Sequence, residues 1–264
     1  MASIKDARRG EAEVWACLGR VVDPELDEAI TDLGFVERAS VSSSGEIEVA
    51  FRLPTYWCSP NFAFLMTEDI HRELAALPWA ARITVRLLDH MWGEEIAAGV
   101  SQGRGFAEIF GDLADGQSLD ELREKFAAKA FQRRQEAVLQ GLRELGHTDA
   151  AIVAMRLADL DGLDFGTSEA ARQLPRYRAL LLDRGLAFRP RDLAFRNLAG
   201  AALTAAGLPD YLAELRGVRI NMEFNGALCR GLARARYHER APGEEPTLVD
   251  FMLGPVPAPR ALAN

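Results

Sequence analysis

The stretch Glu46-Ile47-Glu48-Val49-Ala50-Phe51-Arg52-Leu53, followed by Pro54-Thr55-Tyr56-Trp57-Cys58-Ser59-Pro60, decides how the chain is read. Ile47, Val49, Phe51 and Leu53 alternate with Glu46, Glu48, Ala50 and Arg52, which predicts a strand with one buried and one solvated face. Past the loop, Phe62, Leu65, Met66, Ile70, Leu74 and Leu77 form one apolar stripe at helical spacing. Ser59 suits an N-cap and Pro60 a first helical position, so a helix is predicted to begin immediately after Cys58.

Toward the N-terminus, Ser42-Ser43-Ser44-Gly45 reads as a turn, and 35–41 as a second strand with imperfect alternation. Residues 7–21 read as an amphipathic helix, with Val14, Cys17, Leu18 and Val21 on one face, and Pro24 ends it. Toward the C-terminus, Ile83, Val85 and Leu87 mark a third strand. The expected fold class is therefore a two-layer α/β (α+β) domain of order α-β-β-α-β over 1–90, its β-α-β part a right-handed crossover. Segments 92–100, 106–114, 118–145, 148–160, 167–184, 191–206 and 209–237 all read as helical, so an all-α region is expected over 91–239. The stretch 240–264 holds five of the twelve prolines and reads as an extended tail.

A length of 264 residues, 48% hydrophobic and 27% charged, fits a folded protein with a proper core. No apolar run approaches the roughly 20 residues that cross a bilayer, and MASIKDARRGEAEVW has no apolar core behind its basic residues. A net charge of −8 argues against binding along a phosphate backbone. A cytoplasmic location without nucleic-acid or membrane partners is expected. The three cysteines, Cys17, Cys58 and Cys229, form no CxxC pair, which excludes a zinc finger or a thioredoxin-like dithiol.

Cys58 is the first candidate for chemistry. It precedes a helix N-terminus, where the dipole and free backbone N–H groups suit an anionic, metal-binding sulfur. Cys17 and Cys229 sit beside leucines of their helices and read as core. Asp89, His90, Glu94 and Glu95 are residue types that ligate iron or another divalent metal, although the glutamates equally suit the first turn of a helix. Asp23, Glu25, Asp27 and Glu28 read as a solvated, capping turn. His71 and His147 read as helix-surface residues, with His238 near a helix end. No histidine pair stands at ligand spacing, and no P-loop, GxGxxG or GxSxG motif occurs.

Val21-Val22-Asp23-Pro24-Glu25-Leu26, then Ile30-Thr31-Asp32-Leu33-Gly34-Phe35-Val36, then Thr55 and Cys58 before a helix, resembles the SufT/PaaD-like iron–sulfur cluster assembly family, also described as metal–sulfur cluster biosynthetic. The resemblance covers about residues 10–90. It implies a maturation factor that binds iron or an iron–sulfur cluster transiently, with no permanently bound cofactor and no catalytic residue. It assigns the site to Cys58, Thr55, Asp23 and Glu25, with Asp89, His90 and Glu94 as auxiliary metal ligands. One thiol cannot hold a cluster alone, so a homodimer is one source of the missing ligands. The stretch containing Asp89-His90, Glu94-Glu95-Ile96 and Gly99-Val100, followed by helices, is similar to accessory proteins of actinobacterial multicomponent hydrocarbon monooxygenases. That implies a client metalloprotein such as a binuclear-iron monooxygenase component, docked by the helical region, together with the cluster-assembly machinery. Two further readings are a metal-free folding chaperone or scaffold for an oxygenase subunit, and a thiol-dependent enzyme using Cys58. The last would need a general base that the distant histidines do not supply.

Overall fold

The computed structural model describes the backbone of residues 4–111 and 119–237, and the side chains of the same stretches from residue 9 onward. His238 and the 240–264 tail lie outside the described residues. The chain divides into two compact units, one formed by 1–121 with 224–264 and the other by 122–223.

In the first unit, α1 (Ile4–Leu18) leads into β1 (Val22–Asp23) and β2 (Glu28–Ala29), a short antiparallel pair. β3 (Val36–Val41), β4 (Glu46–Arg52), α2 (Pro60–Ala75) and β5 (Arg82–Leu88) follow. The three-stranded sheet has the order β3-β4-β5. β3 and β4 pair antiparallel, and β4 and β5 pair parallel from Glu46↔Arg82 to Arg52↔Leu88. Parallel neighbours require a crossover, and α2 supplies it. The expected strand alternation holds at Ile47, Val49 and Phe51, all buried, while Ala50 is also buried on the opposite face. Phe64, Leu65, Ile70 and Leu74 of α2 complete this core with Val14 and Leu18 of α1.

The β1–β2 hairpin departs from the sequence reading of a solvated turn. Asp23 and Asp27 are only 7% and 2% exposed. The Asp23 side chain nevertheless caps the turn: Oδ1 accepts from the Glu25 N–H at 2.9 Å and the Leu26 N–H at 3.0 Å. Asp27 takes a left-handed backbone (φ 53°), a conformation aspartate tolerates better than most residues.

After β5 the chain forms α3 (Gly93–Ser101) and α4 (Phe106–Phe110). Gly93 is required by close packing: a Cβ there would lie 2.4 Å from the Leu87 carbonyl oxygen. Phe64 meets Phe106 edge-on at 5.6 Å, and Trp92 meets Phe110 edge-on at 5.5 Å.

The second unit is built from most of α5 (Leu119–Glu144), α6 (Asp149–Ala154), a 3-10 turn (Leu157–Gly162), α7 (Glu169–Asp183) and the first half of α8 (Leu208–Tyr237). Its core gathers Phe131, Tyr177 and Phe195. The buried Gln135 side chain donates to the Tyr177 hydroxyl and to the Arg196 carbonyl, each at 2.8 Å, and accepts from the Tyr211 hydroxyl at 2.6 Å. The Tyr177 hydroxyl in turn donates to the Ala194 carbonyl at 2.7 Å.

These contacts explain why 191–206, expected as a helix, is irregular. Carbonyls that a helix would use internally are taken by buried side chains. Asp192 Oδ2 accepts from the Phe188 and Arg189 N–H groups, and Gly200 adopts φ 83°. Tertiary bonding overrides a permissive local preference here.

Gly93→Ala is expected to destabilise the first unit by on the order of 1–3 kcal/mol, because the added methyl displaces backbone rather than a flexible side chain. Denaturant unfolding checks this, and an unchanged midpoint would contradict the packing described.

Candidate functional site

Parallel pairing of β4 and β5 puts the loop after each strand at the same edge of the sheet. The first loop carries Thr55 and Cys58 and the second carries Asp89 and His90. Asp89 turns the chain with a left-handed backbone (φ 54°), so His90 faces back toward the first loop. There His90 Nε2 donates to the Cys58 carbonyl at 2.8 Å, while its Nδ1 accepts from the Trp92 N–H at 3.2 Å. That pair of bonds assigns the Nε2–H tautomer. Burial holds the imidazole below its usual range, so it is neutral near pH 7. The Met91 N–H adds a bond to the Tyr56 carbonyl at 3.0 Å. His90 thus uses both ring nitrogens to shape the cysteine loop.

Cys58 is half-buried, and its Sγ lies 3.1 Å from the Thr55 hydroxyl oxygen. Thr55 is buried and Ser59 stands at the N-cap of α2, although its hydroxyl makes no capping bond. Asp89, His90 and Glu94 share a groove of about 830 Å³ with Tyr56 and the length of β5. Glu94 is exposed in the first turn of α3.

The second half of α8, within the same unit, reaches this region through its side chains. Asn225 Nδ2 donates to Glu25 Oε1 at 3.1 Å, and Arg230 pairs with Glu28 at 2.7 Å. The Tyr237 hydroxyl donates to the Leu53 carbonyl at 3.1 Å. The Arg236 guanidinium stands 5.9 Å from the centre of the Trp57 ring and 3.9 Å from Asp89. Cys229 lies between these anchors and is half-buried rather than a core residue. Burial pushes its thiol up to about 12, and the negative charges of Asp23, Cys58 and Glu25 act in the same direction. Arg236 and Tyr237 are the residues sequence reading did not bring to the site. Cys17, by contrast, is buried in α1 as expected and accepts from Arg20 at 3.2 Å.

Asp23 contributes an unusual carboxyl group, pushed up to about 6, by burial first and then by the charges of Glu25 and Glu28 against two N–H donors. Among the described residues, no group of three or more His, Cys, Asp or Glu side chains is arranged to hold a metal ion. The thiols and carboxylates here are chemically suited to iron, but they would leave coordination positions open to other ligands.

An α/β domain presenting one cysteine at a strand–helix junction is thus the class defined by fold and site. Residues 11–86 match the family described as iron-sulfur cluster assembly protein, which bears out the resemblance read over the N-terminal region. That stretch includes Asp23, Glu25, Thr55 and Cys58. A similar curated protein is the chloroplastic Fe-S cluster assembly factor HCF101 of Oryza sativa subsp. japonica, 30% identical over 87 residues. The match covers 33% of this chain and 16% of that protein, so this chain corresponds to about a sixth of the relative's length. A solved domain of unknown function, DUF59, from Bacillus anthracis is 20% identical, with a TM-score of 0.31, covering 38% of this chain and 94% of that one. By the family match over 11–86 and the curated relative, the N-terminal region is related to iron–sulfur cluster assembly proteins. No helix among the described residues is long and apolar enough to cross a membrane.

The Asp23 environment carries a pH signature in the metal-free chain. Its folded-state value near 6, against an ordinary 3.8, means that folding takes up a proton between those values. Stability contributed by this group is present below the lower value and is lost as pH rises toward the upper one, by up to about 3 kcal/mol. Asp23→Asn is expected to gain on wild type by about 2–3 kcal/mol between roughly pH 4.5 and 7.5 in urea unfolding. A difference that stays constant with pH would contradict the buried carboxyl.

Proposed function

We propose that this chain is a maturation factor for metalloproteins in which Cys58 holds iron or an iron–sulfur cluster transiently, as cargo, before it passes to a client. The observation that carries this reading is the setting of Cys58. It is half-buried beside the Thr55 hydroxyl, its loop is fixed by His90, and it lies within the stretch that matches iron-sulfur cluster assembly proteins.

Each residue has a role in this reading. Cys58 bonds to the metal, and Thr55 orients or hydrogen-bonds its sulfur. Asp23 and Glu25 supply negative charge from the β1–β2 hairpin, with Asp89 and Glu94 as auxiliary oxygen ligands from the groove. His90, another auxiliary ligand candidate, must first release one of its two hydrogen bonds to offer a nitrogen. Binding displaces the thiol proton, and the open coordination positions allow a client's ligands to take over. The role is that of an accessory factor with no catalytic residue, acting in the cytoplasm with the cluster-assembly machinery. The helical region, in this reading, docks the client, for which a binuclear-iron monooxygenase component is our choice.

Anaerobic reconstitution with ferrous iron and sulfide, followed by measurement of bound iron and sulfide, tests the assignment. Wild type is expected to take up both, and Cys58→Ala to lose most of that uptake. Equal content in the two would remove Cys58 from the role and favour a metal-free chaperone for the same client.

A further inference from the structure

The last turn of α8 closes on the loops that carry the candidate site. Tyr237 is half-buried between two guanidinium groups, with Arg52 5.0 Å and Arg236 5.3 Å from the centre of its ring. Its hydroxyl donates to the Leu53 carbonyl at 3.1 Å, where β4 ends and the cysteine loop begins. Burial raises this hydroxyl above its ordinary value, which keeps it a donor. Arg236 in turn lies 5.9 Å from the centre of the Trp57 ring and 3.9 Å from Asp89. Two consecutive residues of one helical turn thus touch the end of β4, the cysteine loop and the loop after β5. Cys58 stands between this cluster and the His90 brace. The residue before it carries the ring that Arg236 faces, and its own carbonyl accepts from His90. Trp57 is 62% exposed, so the core gives its indole little hold, and the facing guanidinium supplies an anchor. We propose that Arg236 and Tyr237 are positioning residues for Cys58: the last turn of α8 clamps the cysteine loop and sets how open its sulfur is to incoming metal.

The clamp itself rests on these contacts, and its consequence for cargo rests on the reading of Cys58 as a metal-handling residue. Both positioning residues lie far beyond the stretch matched to the assembly family, which ends at residue 86. The clamp is therefore something the C-terminal helix adds to that domain. Each contact is modest, because a cation–π pair near the surface and a single hydrogen bond each shift an equilibrium only severalfold. Helix ends also open at lower cost than helix middles. A loop held this way is closed in most molecules and released in a fraction of them. That balance suits a thiol that has to take up a cargo and then give it away.

The test follows alkylation of the native full-length chain by iodoacetamide at fixed pH, read for each cysteine by mass spectrometry of its peptide. Arg236→Ala and Tyr237→Ala are each expected to speed Cys58 alkylation about fivefold. Tyr237→Phe, which loses only the hydroxyl bond, should fall between them and wild type, and Arg236→Lys should restore part of the protection. Buried Cys17 is the internal control, because a globally loosened fold would expose it as well. Ferrous-iron affinity should weaken in the same order as Cys58 alkylation quickens. Circular dichroism establishes folding, and an alanine variant that does not fold is replaced by Tyr237→Phe or Arg236→Gln. Unchanged Cys58 alkylation in the folded variants, or a rise matched at Cys17, overturns the clamp. Faster alkylation with iron affinity unchanged overturns the positioning role. If wild type binds no iron, the reading of Cys58 fails, while the alkylation rates still decide the clamp.

Discussion

Parallel pairing between β4 and β5 is the constraint from which the site follows. Two parallel strands end at the same edge of a sheet, and the register Arg52↔Leu88 makes these ends level. The loops that leave them are then close enough to bond to each other directly. His90 and Met91 of one loop hold the carbonyls of Cys58 and Tyr56 of the other. Without that register the imidazole would have no carbonyl to meet, and the Cys58 loop would lose its main brace. Gly93 belongs to the same constraint, because α3 can begin there only if its backbone lies against Leu87.

Charge gives the site its second property. Asp23, Glu25 and Glu28 lie in the β1–β2 hairpin and Asp89 and Glu94 in the groove beside β5, with Arg230 paired to Glu28 and Arg236 near Asp89. Surface ion pairs of this kind contribute little stability, roughly 0–1 kcal/mol each. Burial of Asp23 acts against stability at neutral pH.

Much of this organisation was legible in the sequence because it rests on local periodicity. The alternation of Ile47, Val49 and Phe51, the stripe on α2 and the Ser59-Pro60 start located β4, α2 and Cys58 between them. What was not legible depends on contacts between distant residues. The bond from Asn225 to Glu25 spans 200 positions, and no spacing rule foreshadows it. Cys229 looked like a core residue because Leu228 and Leu232 flank it, yet Leu228 is exposed and Cys229 only half-buried. Asp23 looked solvated because acidic turns usually are; its burial comes from the rest of the first unit. The 191–206 segment failed as a helix because Gln135 and Tyr177, far away in sequence, take its carbonyls.

The central claim is that sulfur from Cys58 bonds to the metal cargo. X-ray absorption at the iron edge of the iron-loaded chain, prepared without added sulfide, tests this most directly. The account predicts sulfur in the first coordination shell of wild type and its reduction or loss in Cys58→Ala. A shell of oxygen and nitrogen alone in wild type would contradict it.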